Sequence, residues 1–192
     1  MPSLYDQGDR RGFLRAGLDR WVKKLVEQTE ERVTLRRYYR PPGALPEVGF
    51  LAACTRCGKC EEACPSDAIR LVPKSGGLAQ GTPYLDPRLQ PCTVCADMPC
   101  VEVCPTGALT PPADGWAGVR LGDVTFLPER CVTFRGVACG VCAAACPVGE
   151  AALAIDEGGH PVLRREGCVG CGLCVRSCIT APSSFELSLV ER

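Results

Sequence analysis

Cys54-Thr55-Arg56-Cys57-Gly58-Lys59-Cys60-Glu61-Glu62-Ala63-Cys64-Pro65 decides how this chain is read. Three thiols fall on one short loop, and a fourth follows just before a proline. This C-x2-C-x2-C-x3-C-P run is the one by which bacterial iron–sulfur proteins hold a 4Fe–4S cube. The first three thiolates take three corners, while the fourth faces away and ligates the other cluster of a pair. Cys168, Cys171, Cys174 and Cys178 repeat the spacing, with Ile179 in place of the proline. Cys92, Cys95, Cys100 and Cys104 widen one gap by residues 96–99, and Cys131, Cys139, Cys142 and Cys146 widen another by residues 132–138. Both keep the C-x3-C-P ending, at Pro105 and Pro147, and so read as variants of the same device. The 16 cysteines thus fall into four groups of four with none left over, which predicts four 4Fe–4S clusters.

Other uses of cysteine fit less well. Tetrahedral zinc sites are built from spaced pairs, often with histidine, and the chain has one His. Disulfides would give no reason for the repeated endings. Glycines at Gly58, Gly170 and Gly172 are placed to let loop backbone close on a cluster and aim N–H groups at sulfur.

The rest of the composition suits such a protein. Of 192 residues only 6% are aromatic, while Gly (21) and Pro (17) are plentiful, which favours loops wrapped on inorganic cores over a large apolar core. The 22 basic and 22 acidic side chains balance, so no electrostatic footprint for nucleic acid appears. No apolar run approaches the ~18 residues that span a bilayer, so no membrane insertion is expected. No nucleophile triad, phosphate-cradling loop or flavin fingerprint is visible, and the chain is expected to be a non-catalytic electron carrier.

Between the cysteine groups the sequence reads as short strands and turns. Residues 68–72 alternate before Gly76-Gly77; residues 152–155 and 161–163 flank Asp156-Glu157-Gly158-Gly159, a hairpin signal; residues 185–189 alternate as an edge strand. Helical turns are expected at 59–63 and 141–145. His160, in the hairpin turn, is expected at the surface, and Trp21 and Trp116 are expected to pack. The predicted fold is α+β, tandem bacterial-ferredoxin-like modules with two cluster pairs over residues 41–192. Residues 1–40 form a separate extension in which Leu14, Leu18, Trp21 and Leu25 recur at helical spacing, predicting an amphipathic helix over about 12–37 that is a candidate docking element.

Arg40-Pro41-Pro42-Gly43-Ala44, the first cysteine run, Gly81-Thr82-Pro83-Tyr84 and the stretch from Pro91-Cys92 to Cys104-Pro105-Thr106-Gly107-Ala108-Leu109 together resemble the NapG/MauM family of four-cluster ferredoxins. The spacings also resemble those of four-cluster subunits of molybdenum and tungsten oxidoreductases. That resemblance implies that group one pairs with group four and group two with group three. Cluster ligands would then be Cys54, Cys57, Cys60 and Cys178; Cys168, Cys171, Cys174 and Cys64; Cys92, Cys95, Cys100 and Cys146; and Cys131, Cys139, Cys142 and Cys104. Spacing alone leaves pairing of adjacent groups equally open. The implied partner is a catalytic redox subunit, a tungsten or molybdenum enzyme such as an aldehyde oxidoreductase, with a flavin subunit as onward acceptor. The alternatives are a NapG-like carrier taking electrons from quinol to a periplasmic reductase and a free polyferredoxin. Arg10-Arg11-Gly12-Phe13-Leu14-Arg15 looks like a twin-arginine export motif, but Asp19, Arg20, Lys23 and Lys24 interrupt the apolar run that should follow, so a cytoplasmic location is expected.

Overall fold

The computed structural model describes residues 38–190, which fall within one compact unit. The predicted amphipathic helix and Trp21 lie outside the described residues. Residues 38–40, expected in the N-terminal extension, belong instead to the body: Tyr39 bridges to Leu85 and Arg40 is buried.

Two modules of the same plan follow one another. In the first, α1 (Glu47–Ala53) leads into the first cysteine loop, and α2 (Lys59–Glu62) carries its third thiol. Strands β1 (Ile69–Leu71) and β2 (Pro83–Leu85) then pair antiparallel, with Ile69 opposite Leu85. The second cysteine loop ends in α3 (Pro99–Glu102), and the chain returns to pair with its own beginning. Thr110 N–H donates to Gly43 O at 2.8 Å and Leu45 N–H to Ala108 O at 3.1 Å.

The second module repeats this order. It runs through β3 (Asp123–Phe126), α4 (Val141–Ala144), the hairpin β4 (Leu153–Ile155) and β5 (Pro161–Leu163), α5 (Leu173–Ser177) and β6 (Phe185–Ser188). Here β3 and β6 close the module, pairing Val124 with Leu187 and Phe126 with Phe185. The predicted hairpin forms, the alternating residues before Gly76-Gly77 supply β1, and the alternating tail finds β3 as its partner.

The elements are short because the loops have little to bury except each other and the sulfurs. One core gathers Phe50, Ile69, Leu85, Val101, Leu109 and Leu121 around Cys60, Cys92, Cys100 and Cys171. A second gathers Val124, Leu153 and Phe185 around Cys142 and Cys174. Where the modules meet, Leu121 N–H donates to Val169 O at 2.8 Å. Gly170, at φ +71°, lies so close to Gly122 that a Cβ would overlap the Gly122 carbonyl. This glycine therefore serves the approach of two backbones, a use distinct from the cluster contact expected for it.

Arg40 shows what the motif residues of the first module do. Its guanidinium grips Glu47 through two bonds, of 3.0 Å and 2.6 Å, and donates to Thr82 Oγ1 at 2.9 Å and Pro83 O at 2.7 Å. It also lies over the Phe50 ring, 4.6 Å from its centroid. Arg40-Pro41 and Thr82-Pro83 are thus two halves of one clamp. Removing the charge leaves Glu47 and a buried carbonyl without their donor, so Arg40→Ala should destabilise the module by about 3 kcal/mol. Lysine, which lacks the planar fork, should restore only part of that. Denaturant unfolding of the cluster-loaded protein checks both; an unchanged midpoint in Arg40→Ala would mean the clamp is dispensable.

Candidate iron–sulfur centres

The paired termini of each module bring adjacent cysteine groups face to face. Cys54, Cys57 and Cys60 line one cavity together with Cys104, walled by Phe50, Pro83 and Leu109. Cys92, Cys95 and Cys100 line another together with Cys64, walled by Pro42, Ile69, Leu85 and Trp116. In the second module Cys146 sits near enough to Cys168, Cys171 and Cys174 to disfavour their ionisation by like charge. Cys178 shares its apolar surroundings with Cys142.

This arrangement differs from the pairing implied by the wider four-cluster resemblance. Cys64 meets group two rather than group four, and Cys104 meets group one rather than group three. The modules are accordingly groups one with two and three with four. The reason lies in the connecting segments. The β1–β2 hairpin folds residues 65–91 back on themselves and returns Cys92 beside Cys64, and the pairing of residues 43–45 with 108–110 closes the unit before group three begins. The C-x3-C-P ending only turns the fourth thiol away from its own loop; which loop receives it depends on the fold.

The donor set fits iron–sulfur cubes. All 16 cysteines are free thiols. Among the described residues no three His, Cys, Asp or Glu side chains converge on a point that could hold a single ion. Four thiols ringing a cavity without meeting suit a cube with a metal at each of four corners, and do not suit tetrahedral zinc.

Electrostatics separates two kinds of ligand. Burial pushes the thiols of Cys60, Cys92 and Cys142 up to about 11 and those of Cys100 and Cys171 to about 12, and neighbouring sulfurs add to the rise. Such sites resist free thiolates and need cations beside them. Three of the fourth thiols, Cys64, Cys104 and Cys178, differ. Burial pushes Cys178 up as well, but bonds from Thr180 Oγ1 (3.1 Å) and Ser184 N–H (3.3 Å) outweigh it and bring the thiol down to about 7. Cys64 accepts from Ala68 N–H at 3.3 Å with Ser66 nearby, and Cys104 accepts from Leu109 N–H at 3.4 Å; in both, these bonds overcome burial and lower the thiol.

A hydroxyl residue two positions after the sulfur recurs at Ser66, Thr106 and Thr180, whereas Val148 follows Cys146. That spacing was visible in the sequence, and in the fold it sets a hydroxyl beside the fourth sulfur. Trp116 packs as expected, and its Nε1–H also donates to Cys95 O at 2.7 Å. Arg120 donates to Arg165 O at 2.6 Å and to Cys168 O, holding the fourth loop against the segment before β3. His160 is not a bystander at the surface. Its ring stacks on Phe134 with centroids 4.1 Å apart, and its Nδ1 lies 3.1 Å from Thr133 Oγ1.

Comparison with known proteins assigns the cysteine groups to iron–sulfur families. Residues 53–108 match the 4Fe-4S dicluster domain family, which takes in groups one and two. Residues 128–149 and 165–180 match a 4Fe-4S binding domain, which takes in groups three and four. The chain is 38% identical over 174 residues to the ferredoxin-type protein NapG of Escherichia coli, covering 85% of this chain and 74% of that one. It is 39% identical over 161 residues to the methylamine utilization ferredoxin-type protein MauM of Methylophilus methylotrophus, covering 77% and 69%. The corresponding MauM of Paracoccus denitrificans is 38% identical over 159 residues, covering 79% and 71%. Paired thiol cavities, dicluster sequence and these relatives lead to one conclusion: the chain belongs to the NapG/MauM family of ferredoxin-type proteins, iron–sulfur electron carriers with four 4Fe–4S clusters.

Proposed function

We propose that the protein relays electrons one at a time along four clusters in a fixed order, as the non-catalytic wire of a larger redox complex. The ligand sets proposed are Cys54, Cys57, Cys60 and Cys104; Cys92, Cys95, Cys100 and Cys64; Cys168, Cys171, Cys174 and Cys146; and Cys131, Cys139, Cys142 and Cys178. What carries the order is the contact between sets. Cys60 is near Cys100 within the first module, and Cys92 is near Cys171 across the junction of the modules. Helices α4 and α5, which bear Cys142 and Cys174, pack together in the second module. Electrons tunnel over short distances far faster than long ones, so such a sequence of neighbours favours stepwise transfer from one end to the other. The outer ends are the accessible ones: Cys57 is exposed, and Cys139 lies among exposed Val137 and Val141.

For the partner, one reading is a cytoplasmic tungsten or molybdenum oxidoreductase, such as an aldehyde oxidoreductase, with a flavin subunit taking the electrons onward. It rests on the ligand spacings and on the charged residues that interrupt the apolar run after Arg10-Arg11. A second reading, a carrier between a quinol-oxidising membrane protein and a reductase, is favoured by the 38% identity to NapG. No helix among the described residues is long and apolar enough to cross a membrane. Anaerobic copurification with metal analysis separates the two. Tungsten or molybdenum with flavin in the bound fraction supports the first; a quinol-oxidising membrane protein supports the second; a chain that emerges alone leaves a free polyferredoxin. In each case the chain itself should carry about sixteen irons, four for each cluster.

A further inference from the structure

Group three differs from the others in having seven residues, rather than two, between its first and second thiols, and the structure gives that stretch a side-chain chain of its own. Cys131 Sγ lies 3.2 Å from Thr133 Oγ1, and Thr133 Oγ1 lies 3.1 Å from His160 Nδ1. Cys131 and Thr133 are buried, at 7% and 8% exposure. His160 is half-buried and reaches solvent. Its position is fixed from three sides. The ring stacks on Phe134 at an interplanar angle of 15°. Its backbone N–H donates to Asp156 Oδ1 at 2.8 Å, and its carbonyl accepts from Asp156 N–H at 2.9 Å.

A threonine hydroxyl has one proton to give. It stands here between two acceptors, the Cys131 sulfur and the imidazole. When Nδ1 is bare it competes for that proton and draws it away from sulfur. When Nδ1 carries a proton it donates to Thr133 Oγ1, and the hydroxyl is left to donate to sulfur. We propose that His160 thereby sets the direction of the Thr133 hydroxyl and couples one proton to one-electron reduction of the cluster that Cys131 helps to hold. His160 acts here as a positioning residue, through Thr133. The inference rests on the ligand role of Cys131 proposed above.

The balance is one electron and one proton. The electron arrives from the adjacent cluster, or from an added reductant. The proton comes from water to His160 Nδ1, and no bond to iron changes. A hydrogen bond to a ligand sulfur stabilises the more negative reduced state and raises the potential. By linkage, the reduced cluster must hold the imidazole proton more tightly than the oxidised one. Imidazole is the side chain that ordinarily changes charge between about pH 5 and 8, which sets the range over which the coupling is sought. The charged groups around it are Asp156 and Glu157 on its own hairpin turn and Arg135 on the turn that carries Thr133 and Phe134.

The test is an anaerobic redox titration of the fully loaded protein between pH 5 and 8, followed by electron paramagnetic resonance. One of the four midpoints should fall as pH rises, by about 59 mV for a tenfold difference in proton affinity between the two states. In His160→Gln that midpoint should no longer move with pH. In Thr133→Val it should be both lower and independent of pH. Four midpoints that ignore pH in the unaltered protein would overturn the proposal, as would a pH dependence that survives in Thr133→Val. Iron content guards the ligand reading separately: both variants should keep about sixteen irons, whereas Cys131→Ala should lose about four. If Cys131→Ala keeps all its iron, the ligand role fails and the coupling with it.

Discussion

Anaerobic removal of iron from the loaded protein is expected to abolish its cooperative fold. The buried side of each module is made largely of cysteine loops: Cys60, Cys92, Cys100 and Cys171 lie in one core and Cys142 and Cys174 in the other. The strands that frame them are only three or four residues long. Such hairpins are marginal alone and need a packed centre. Without clusters the loops would enclose empty, thiol-lined space, and the binding free energy of the metal is folding free energy in domains of this kind. Chelation under anaerobic conditions should therefore remove the visible absorption and the near-ultraviolet circular dichroism together. A cluster-free protein with native dichroism and a sharp thermal transition would refute this.

The same loops give any residual cluster-free state a characteristic pH response. In the folded chain burial holds Cys60, Cys92 and Cys142 near 11 and Cys100 and Cys171 near 12. In the unfolded chain a thiol ionises near 8.5. Below that value both states keep their protons and these groups favour neither. As pH rises beyond it the unfolded chain releases protons that the folded one retains, so stability falls across the window from about 8.5 to the folded values. Alkaline conditions should thus hasten loss of structure once iron is gone, read as a falling denaturant midpoint.

The second large effect concerns which thiols share a cluster. Removing one ligand should cost about four irons, and removing two ligands of the same cluster should cost no more than either alone. If the cavities of the structure are the cluster sites, Cys57→Ala combined with Cys104→Ala should lose about four irons, because both line one cavity. Cys57→Ala combined with Cys64→Ala should lose about eight, because Cys64 lines the other. Under pairing of groups one and four, the combination of Cys57→Ala with Cys178→Ala would be the one limited to four. Iron analysis of the purified double variants separates the two pairings without a measurement of potential. A loss of eight in the Cys57–Cys104 double variant would rule out a shared cluster for these two thiols and favour the pairing of groups one and four.

Much of this protein was legible before any coordinates. Ligand identity is local, because three thiols on one tight loop can meet a cube only by their spacing, and Cys54 to Cys60 carry that spacing in plain sight. The hairpin at residues 153–163 was legible for the same reason, since Asp156-Glu157-Gly158-Gly159 encodes its own turn. The Arg40 clamp was half legible: both of its segments stood out in the sequence, but nothing local joins Arg40 to Thr82, 42 residues away.

The sequence by itself thus determined the clusters, their number and the chemistry of their ligands, because each is written within a few consecutive residues. Only the tertiary structure decided which fourth thiol lines which cavity, and that His160 Nδ1 comes within 3.1 Å of Thr133 Oγ1. Those relations join residues far apart along the chain. They are set by the pairing of residues 43–45 with 108–110 and of β3 with β6, closures whose partners no local spacing can name.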